Sequence, residues 1–208
     1  MTPPSSKLTA SETSTIINSK GGSDPEARVG RNGKTYELGY KLHIAVDAKS
    51  ELPLAVIVAR ANDNEKKHAP ELFKKSLTAT KKKIKLLIAD SQYSCKSQRE
   101  QANNAGVGVV ISYPVNQMRG QRGLLRVDRF FRTHGPKREK RLYRLRSSIE
   151  RVNSRLKEQL CLENHKARCL WRIKVHSLLC LVAMLLNAVA AVRLKAVDKV
   201  RSMSLLVK

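Results

Sequence analysis

The residues with the clearest chemical potential share one face of a helix predicted over residues 141–160. Tyr143, Arg146, Glu150 and Lys157 fall within an arc of about 60° when each residue turns by about 100°. A neighbouring arc of about 80° predicts a core-packing face, with Leu142, Leu145, Ile149, Val152, Leu156 and Leu160. The helix therefore presents a carboxylate, two cations and a phenol beside its buried stripe. The same register also fits a solvated helix with ordinary i, i+4 ion pairs.

A second carboxylate, Asp90, follows the short apolar run Ile84–Ala89, which predicts a buried central strand. Open mixed sheets bind their ligands at the carboxyl ends of such strands. A carboxylate on a helix packed beside the strand can reach the same divalent cation, because Mg²⁺ prefers oxygen ligands. Phosphoryl transfer on nucleic acids commonly uses two metal ions held by carboxylates. Asp90 and Glu150 are therefore candidate ligands of a catalytic metal.

The charge of the chain indicates a polyanionic partner. Its 208 residues include 41 Lys and Arg against 17 Asp and Glu, a formal net charge of +24. Nearly half of the excess lies between residues 118 and 157, which hold 14 Lys or Arg and three acids. Arg predominates there, and guanidinium groups pair with phosphate oxygens through two hydrogen bonds. An aromatic content of 4% argues against binding single strands by base stacking. A merely solvated surface is the alternative.

The elements that would position these residues follow an α/β pattern. Residues 1–35 are rich in Ser, Thr, Gly and Pro and predict an irregular segment. Hydrophobic periodicity then predicts strands over 40–47, 52–58, 84–89 and 107–112 and helices over 64–78 and 95–105. Helices follow to the end of the chain. This order predicts a mixed sheet with helices packed on it.

An apolar stretch over residues 175–192 has the length of a transmembrane helix. It contains His176, Ser177 and Asn187 and follows a basic domain, so we expect a helix buried against the sheet and no membrane. We interpret the cysteines as reduced thiols that pack in the core, because they form no Cys-x-x-Cys pair. A zinc site is the alternative, drawn from Cys161, His165, Cys169 and His176.

Together these residues resemble the insertion-sequence transposases of the DDE type, in the large group usually called the IS-four family. The spacing Tyr143-x2-Arg146-x3-Glu150-x6-Lys157 matches that family's signature helix in full. Asp90 is similar to its second catalytic Asp, which ends a strand and is followed three residues later by Tyr, here Tyr93. Further similar segments lie at residues 24–28, 39–43, 51–55 and 162–165.

The resemblance implies a ribonuclease-H-like mixed sheet flanked by helices, with a C-terminal helical segment. It implies an irregular N-terminal segment over 1–35 as the remnant of the first strand and loop, a catalytic domain over 36–195 and a tail over 196–208. The implied activity is cutting and joining of DNA strands with Mg²⁺ or Mn²⁺. Asp90 and Glu150 would be catalytic metal ligands, and Tyr143, Arg146 and Lys157 would contact DNA near the reacting phosphate.

The implied partner is double-stranded DNA at the element ends, with a homo-oligomer assembled on it, in the prokaryotic cytoplasm at the nucleoid. One departure concerns the family's first catalytic Asp, which lies on the first strand before small hydroxyl residues and a Lys. Residues 5–7 resemble that tail, with Pro4 in the expected slot, so we expect a chain truncated at its start with impaired cleavage. Asp47 is the nearest acid on a predicted strand, and Asp63 and His68 fall where the family often has a His-Asp pair.

Two other functions fit part of the pattern. A non-catalytic transposase remnant would bind DNA in a strongly salt-dependent way without a metal. A structural RNA-binding protein of the ribosomal kind would explain the charge, but it does not explain the register of Tyr143, Arg146, Glu150 and Lys157 beside Asp90.

Overall fold

A computed structural model of the chain describes residues 8–19, 23–33, 35–112, 125–127 and 140–203. Its strands are β1 (Leu8–Asn18), β2 (Arg28–Asn32), β3 (Thr35–Asp47), β4 (Pro53–Arg60), β5 (Ile84–Ala89), β6 (Gly108–Ser112) and β7 (Leu125–Val127). Its α-helices of eight residues or more are α1 (Glu65–Ala79), α2 (Lys96–Asn104), α3 (Ser147–Ser154) and α4 (Leu170–Arg193). Short 3-10 turns lie at Ser91–Tyr93, Arg144–Arg146 and Val197–Lys199, and a π turn spans Arg155–Gln159.

The strands form one mixed sheet in the order β2-β3-β1-β5-β6-β7, with β4 also paired to β3. β1 runs antiparallel to β3 and parallel to β5, and β6 runs parallel to β5. β2 and β4 lie end to end along one edge of β3, because β2 pairs with residues 35–39 and β4 with residues 40–46. β1 occupies the other edge of β3. The predicted α/β class, a mixed sheet flanked by helices, is confirmed.

The first strand is present, which corrects the expectation of an irregular segment over residues 1–35. β1 lies at the centre of the sheet, and β2 also falls within that range. Ser and Thr make up nearly half of β1 and leave it without a clear hydrophobic period, so its sequence resembles that of a loop. β-Branched Thr and Ile nevertheless fit a pleated surface, and β3 and β5 satisfy the backbone of β1 from both sides. The slot at Pro4 and residues 5–7 lie outside the described residues.

The two faces of the sheet carry different helices, since side chains alternate along each strand. The face that we call the α1 face carries Ala10 and Leu87 and packs against α1 and α2. The opposite face, which we call the α3 face, carries Ile17, which packs against α3 and α4. Ile88 on the same face packs against Leu142 and Tyr143. Asp90 and the helical residues 140–159 therefore meet on the α3 face.

Helix α4 is held in place by a segment that lies about 145 residues earlier in the chain. The Asp24 carboxylate accepts the N–H of Cys169 at 3.1 Å and the Tyr40 hydroxyl at 2.9 Å. The Glu26 carboxylate accepts the N–H of Leu170 at 2.8 Å. Two carboxylates thus satisfy N–H groups at the positive end of the helix. The Cys169 side chain, at the N-cap position, makes no capping hydrogen bond.

Among the described residues, α4 alone is long and apolar enough to cross a bilayer. Its most apolar 18-residue window has a mean hydropathy of 2.2, and 39% of that window is buried in the fold. One face packs on β3 and β4, as expected for a helix buried against the sheet. The other face is exposed, which the sequence did not predict.

We predict that Asp24→Asn lowers the free energy of unfolding by about 1–2 kcal/mol, because it removes the charged acceptor at the amino end of α4. Burial raises the pKa of Asp24, but hydrogen bonds from Tyr40 and from the backbone of Cys169 and Glu26 outweigh it and lower the pKa below its usual value. The stabilisation is therefore full above the unfolded-state pKa of Asp and is lost as the pH falls through the folded-state pKa.

Urea denaturation of the wild type and the variant at neutral and acid pH measures this effect. Asp198→Asn is the matched control, because Asp198 lies exposed in the turn after α4. An equal loss of stability in both variants at neutral pH would contradict the proposed cap.

Candidate active site

Asp90 comes directly after β5 and lies at the carboxyl end of a central strand, as predicted. Its backbone is still extended, with φ of −69° and ψ of 159°, and its side chain accepts the N–H of Ser91 at 2.6 Å. Asp90 follows Ile88 by two residues, so the alternation of the strand directs it to the α3 face. The side chain is partly buried. The strand thus presents one carboxylate toward the helix over residues 140–159, which we call the signature helix.

The residue of β1 level with Asp90 is Thr13. Ser11 pairs with Ile88 and Glu12 with Ala89, and one further step along both strands sets Thr13 beside Asp90. Thr13 also shares the α3 face with Ile17, because the two are four residues apart in one strand. Thr13 is 8% exposed. A hydroxyl, not a carboxylate, therefore stands beside Asp90 on the first strand.

The sequence alone does not identify Thr13, because two stretches fit the tail expected after the first catalytic Asp. Residues 5–7 resemble it, but Ser14 and Thr15, which follow Thr13, are also small hydroxyl residues. Only the pairing of β1 with β5 distinguishes the two positions, and it favours Thr13.

The signature helix is continuous over residues 140–159, although its hydrogen-bond pattern changes at both ends of α3. The Tyr143 hydroxyl donates to Ser112 Oγ at the end of β6, at 3.1 Å. The Arg146 guanidinium lies 5.8 Å from the centre of the Tyr143 ring and pairs with Glu150 at 2.7 Å. Three of the four predicted residues are therefore linked in one chain of contacts.

Lys157 does not join those three residues. It lies in the π turn after α3, and its ammonium pairs with Glu163. The side chain is 29% exposed, so the pair is accessible to solvent. A phosphate that reached Lys157 would have to compete with the Glu163 carboxylate.

The Glu150 side chain is 56% exposed, and its described charge partner is Arg146. It lines a shallow groove with Glu51, Arg151 and Arg155. Among the described contacts, no hydrogen bond or ion pair joins Glu150 to Asp90. Within the same residues, no group of three His, Cys, Asp or Glu side chains is placed to hold a metal ion. The donor set is therefore incomplete for a three-carboxylate site, and the zinc alternative gains no support.

A family model described as transposase DDE domain matches residues 8–186. This chain belongs to the transposase DDE domain family. The match begins at the first residue of β1 and ends within α4, so it includes the whole described sheet. A search of curated proteins found no match.

Membership makes this chain a transposase by class, with DNA as its substrate and DNA transposition as its function. The mixed sheet and its flanking helices are consistent with the ribonuclease-H-like fold of a DDE transposase domain. The family generally uses divalent metal ions. A complete site would need a third acidic ligand, for which Glu12, Asp47 and Asp63 are candidates.

Glu12 is the acid nearest to Thr13 in this transposase domain, but it points to the opposite face of the sheet. It shares the α1 face with Ala10, where the Gln98 amide donates to its carboxylate. Glu12 is fully buried, and this burial raises its pKa to about 8, against the opposing effect of the Gln98 hydrogen bond. Its side chain therefore does not take the place of the missing carboxylate.

Asp47 ends β3 level with Ala10, three residues along β1 from Thr13, roughly 10 Å away. Its carboxylate accepts the N–H and hydroxyl of Ser50 at 2.8 and 2.7 Å, which stabilises the turn between β3 and β4. The structure thus does not bring Asp47 to Asp90.

Asp63 and His68 form a pair at 3.2 Å, but on the α1 face. The His68 ring lies 4.7 Å from that of His43, whose Nδ1 is 2.7 Å from the Tyr93 hydroxyl. Burial, together with the charges of His68 and Lys41, lowers the pKa of His43 to about 3. This network lies between α1 and the sheet, on the other side of the sheet from Asp90 and Tyr143.

Some cations of the basic stretch, residues 118–157, form ion pairs with acids of the domain, and others form none with a described acid. Arg151 and Arg155 both pair with Glu51, which is 2% exposed in the turn between β3 and β4. Arg201 pairs with the same carboxylate at 3.4 Å, so the hairpin, α3 and the C-terminal segment are joined at one point.

Three cations at the start of the signature helix, Lys140, Arg141 and Arg144, are exposed and form no ion pair with a described acid. The basic residues over 113–124 and 128–139 lie outside the described residues. Lys140, Arg141 and Arg144 are therefore available to a phosphate backbone.

We predict that Glu12→Gln gains stability relative to the wild type as the pH rises from 5 to 8, by at least about 1 kcal/mol. The folded-state pKa is raised to about 8, so folded Glu12 keeps a proton that the unfolded chain releases above about 4.5. Wild-type stability therefore falls through this window, and a neutral amide removes that component.

Urea midpoints at pH 5 and 8 measure the effect for both proteins. Glu100→Gln, at an exposed position of α2, serves as the control and should leave the pH dependence unchanged. Parallel pH profiles of wild type and Glu12→Gln would exclude a protonated Glu12 in the folded state.

Proposed function

We propose that this chain binds double-stranded DNA at the ends of a mobile element as a transposase domain of the IS-four type, with impaired strand cleavage and joining. The observation that carries the proposal is Thr13 beside Asp90, in the position where a first-strand carboxylate would complete the metal site. Asp90 and Glu150 remain as the two ligands of Mg²⁺ or Mn²⁺. Two carboxylates hold a divalent cation more weakly than three, so metal-dependent phosphoryl transfer is slow or absent.

Tyr143, Arg146 and Lys157 orient the DNA backbone. Arg146 and Lys157 are paired with Glu150 and Glu163, so DNA binding exchanges carboxylate partners for phosphate oxygens. The Tyr143 hydroxyl, at the end of β6, lies at the same end of the sheet as Asp90, because β5 and β6 are parallel. In the cell, this protein acts on nucleoid DNA, with more than one copy on an element end.

A non-catalytic DNA-binding remnant is the second candidate. Two features favour it: Glu150 is already paired with Arg146, and Thr13 carries no negative charge to hold a metal ion. The two candidates differ in one measurable property, which is whether a divalent metal changes the behaviour of the wild-type chain toward DNA.

We predict that Thr13→Asp raises Mg²⁺- or Mn²⁺-dependent nicking of supercoiled plasmid by at least about tenfold over the wild type. The added carboxylate would stand beside Asp90 on the α3 face and supply the third ligand. Divalent metal should also raise the melting temperature of Thr13→Asp more than that of the wild type, because a ligand that binds only the folded state stabilises it.

Thr13→Asn is the matched control, since it has a similar size and no charge, and the double variant Thr13→Asp, Glu150→Gln should return to the wild-type rate. Wild-type nicking as fast as that of Thr13→Asp would show that Thr13 is not the gap in the site. Nicking by the double variant as fast as that of Thr13→Asp alone would exclude Glu150 as a ligand.

We predict that Arg141→Glu combined with Arg144→Glu weakens duplex DNA binding by about tenfold or more near 0.1 M salt. It should lower the slope of log affinity against log salt by about two, since each lost phosphate contact removes about one unit. Fluorescence anisotropy with a labelled duplex over a salt series measures both quantities.

The control is Lys83→Glu combined with Lys85→Glu, which makes the same charge change at the amino end of β5, away from Asp90. Equal losses in the two variants would indicate general electrostatic attraction instead of a defined surface. Tighter binding of structured RNA than of duplex DNA at equal salt would favour the RNA-binding alternative.

A further inference from the structure

Helix α4 has one buried and one exposed apolar face, and the amino-terminal part of the exposed face borders a groove against β4 and α1. The inner face packs on the domain, with Ile173, Cys180, Leu181, Met184, Ala188 and Ala191 buried. The opposite face is exposed along the whole helix, and we call its central row the outer stripe: Trp171, Val175, Leu178, Val182, Leu185, Val189 and Val192. The exposed fractions of these residues range from 39% to 72%. Leu179 and Leu186, both 61% exposed, flank the row on one side.

The outer stripe follows a strict heptad pattern. Its residues are spaced alternately by four and three positions from Trp171 to Val192, a mean period of about 3.5 residues that suits helix-to-helix packing. Val occupies the three positions of one set, at 175, 182 and 189, and Leu occupies the two central positions of the other set. A β-branched residue at the first set and Leu at the second is the combination that favours two-stranded coiled coils.

We propose that the outer stripe is the contact through which two copies of this chain pair, helix α4 against helix α4, as a short coiled coil. The helix of 24 residues is about 36 Å long, which is enough for three heptads. If each of the nine exposed side chains loses on the order of 50–100 Å² of apolar surface, one copy contributes roughly 450–900 Å². A standard stable interface needs about 800 Å² per partner, so the stripe is of the right size for a dimer.

Residues of the same chain are poorly suited to cover this stripe. The segments over 113–124 and 128–139 attach at β6, β7 and residue 140, on the far edge of the sheet from β4 and α4. They are also rich in Arg, whose burial against Val and Leu would be unfavourable. The described C-terminal residues, up to Met203, lie on another side of the helix, because the amide of buried Asn187 donates to the Ser202 carbonyl at 2.6 Å.

A bilayer is the other apolar environment that α4 could enter by its length and hydropathy. Insertion would separate the inner face from β3 and β4 and break the contacts of Asp24 and Glu26 with the start of the helix. It would also place Ser177 and Asn187, both buried within the domain, in hydrocarbon. A second copy leaves all of these contacts intact, and we therefore choose it as the occupant.

Sedimentation equilibrium and light scattering over a wide range of protein concentration test the dimer. The wild type should approach twice the chain mass of 23.3 kDa. Val182→Glu, at the centre of the stripe, should raise the dimer dissociation constant by at least about a hundredfold, because it places two carboxylates in the apolar seam. Ala183→Glu is the matched control: it adds the same charge at the next residue, which is exposed but outside the outer stripe, and should stay dimeric.

Circular dichroism and thermal unfolding test whether both variants fold, and Leu185→Glu repeats the experiment at a second position of the stripe. A wild type that stays monomeric at the highest concentration would overturn the proposal, as would a Val182→Glu variant that remains dimeric or an Ala183→Glu variant that dissociates. Flotation with neutral phosphatidylcholine vesicles provides a further arm: vesicle binding by a monomeric wild type, lost in Val182→Glu, would assign the stripe to a membrane surface.

The dimer is measured without DNA or metal, so its failure is distinguishable from failure of the proposed function. Two copies with a net charge of +24 each repel one another, and salt screens that repulsion while leaving the apolar contact in place. Raising the salt concentration should therefore strengthen the dimer and weaken DNA binding. A dimer that dissociates with salt in parallel with DNA release would contradict an apolar seam.

Discussion

The pairing of β1 with β3 on one side and β5 on the other determines where the candidate site and the helices lie. It sets Thr13 beside Asp90, turns Glu12 toward α2, and gives the sheet the two faces on which the helices pack. Without this strand, the backbone groups of β3 and β5 would face each other across a gap, with unpaired edges prone to aggregation. The candidate site is therefore a consequence of the same pairing that makes the sheet continuous.

The centre of β1 also shows how stability and chemistry can oppose each other. A carboxylate at position 13 would lie beside Asp90, and like charges at that separation disfavour the ionised forms unless a cation lies between them. Thr13 removes this repulsion, and with it a metal ligand. On the other face, Glu12 is tolerated in the core because it stays protonated and accepts a hydrogen bond from Gln98. Thr13 and the protonated Glu12 thus both place neutral groups at the centre of the sheet.

Contacts within the domain also determine the orientation of helix α4. Its amino end is held by Asp24 and Glu26, and its inner face is fixed on β3 and β4. These contacts determine which of its apolar residues remain outside. The outer stripe therefore has a defined orientation relative to the sheet and to the site on the α3 face.

Local periodicity was enough to predict that Tyr143, Arg146 and Glu150 lie on one line of a helix. It also predicted Asp90 at the end of an apolar strand. The folded structure is needed to recognise β1 as a strand, because its small polar residues carry no period and it pairs with residues more than 20 positions away. It also decided that Thr13 stands beside Asp90, since lateral register is a property of two strands and not of either one. For α4, an apolar helix has no inside or outside until something packs on it, and packing on β3 and β4 left the heptad face exposed.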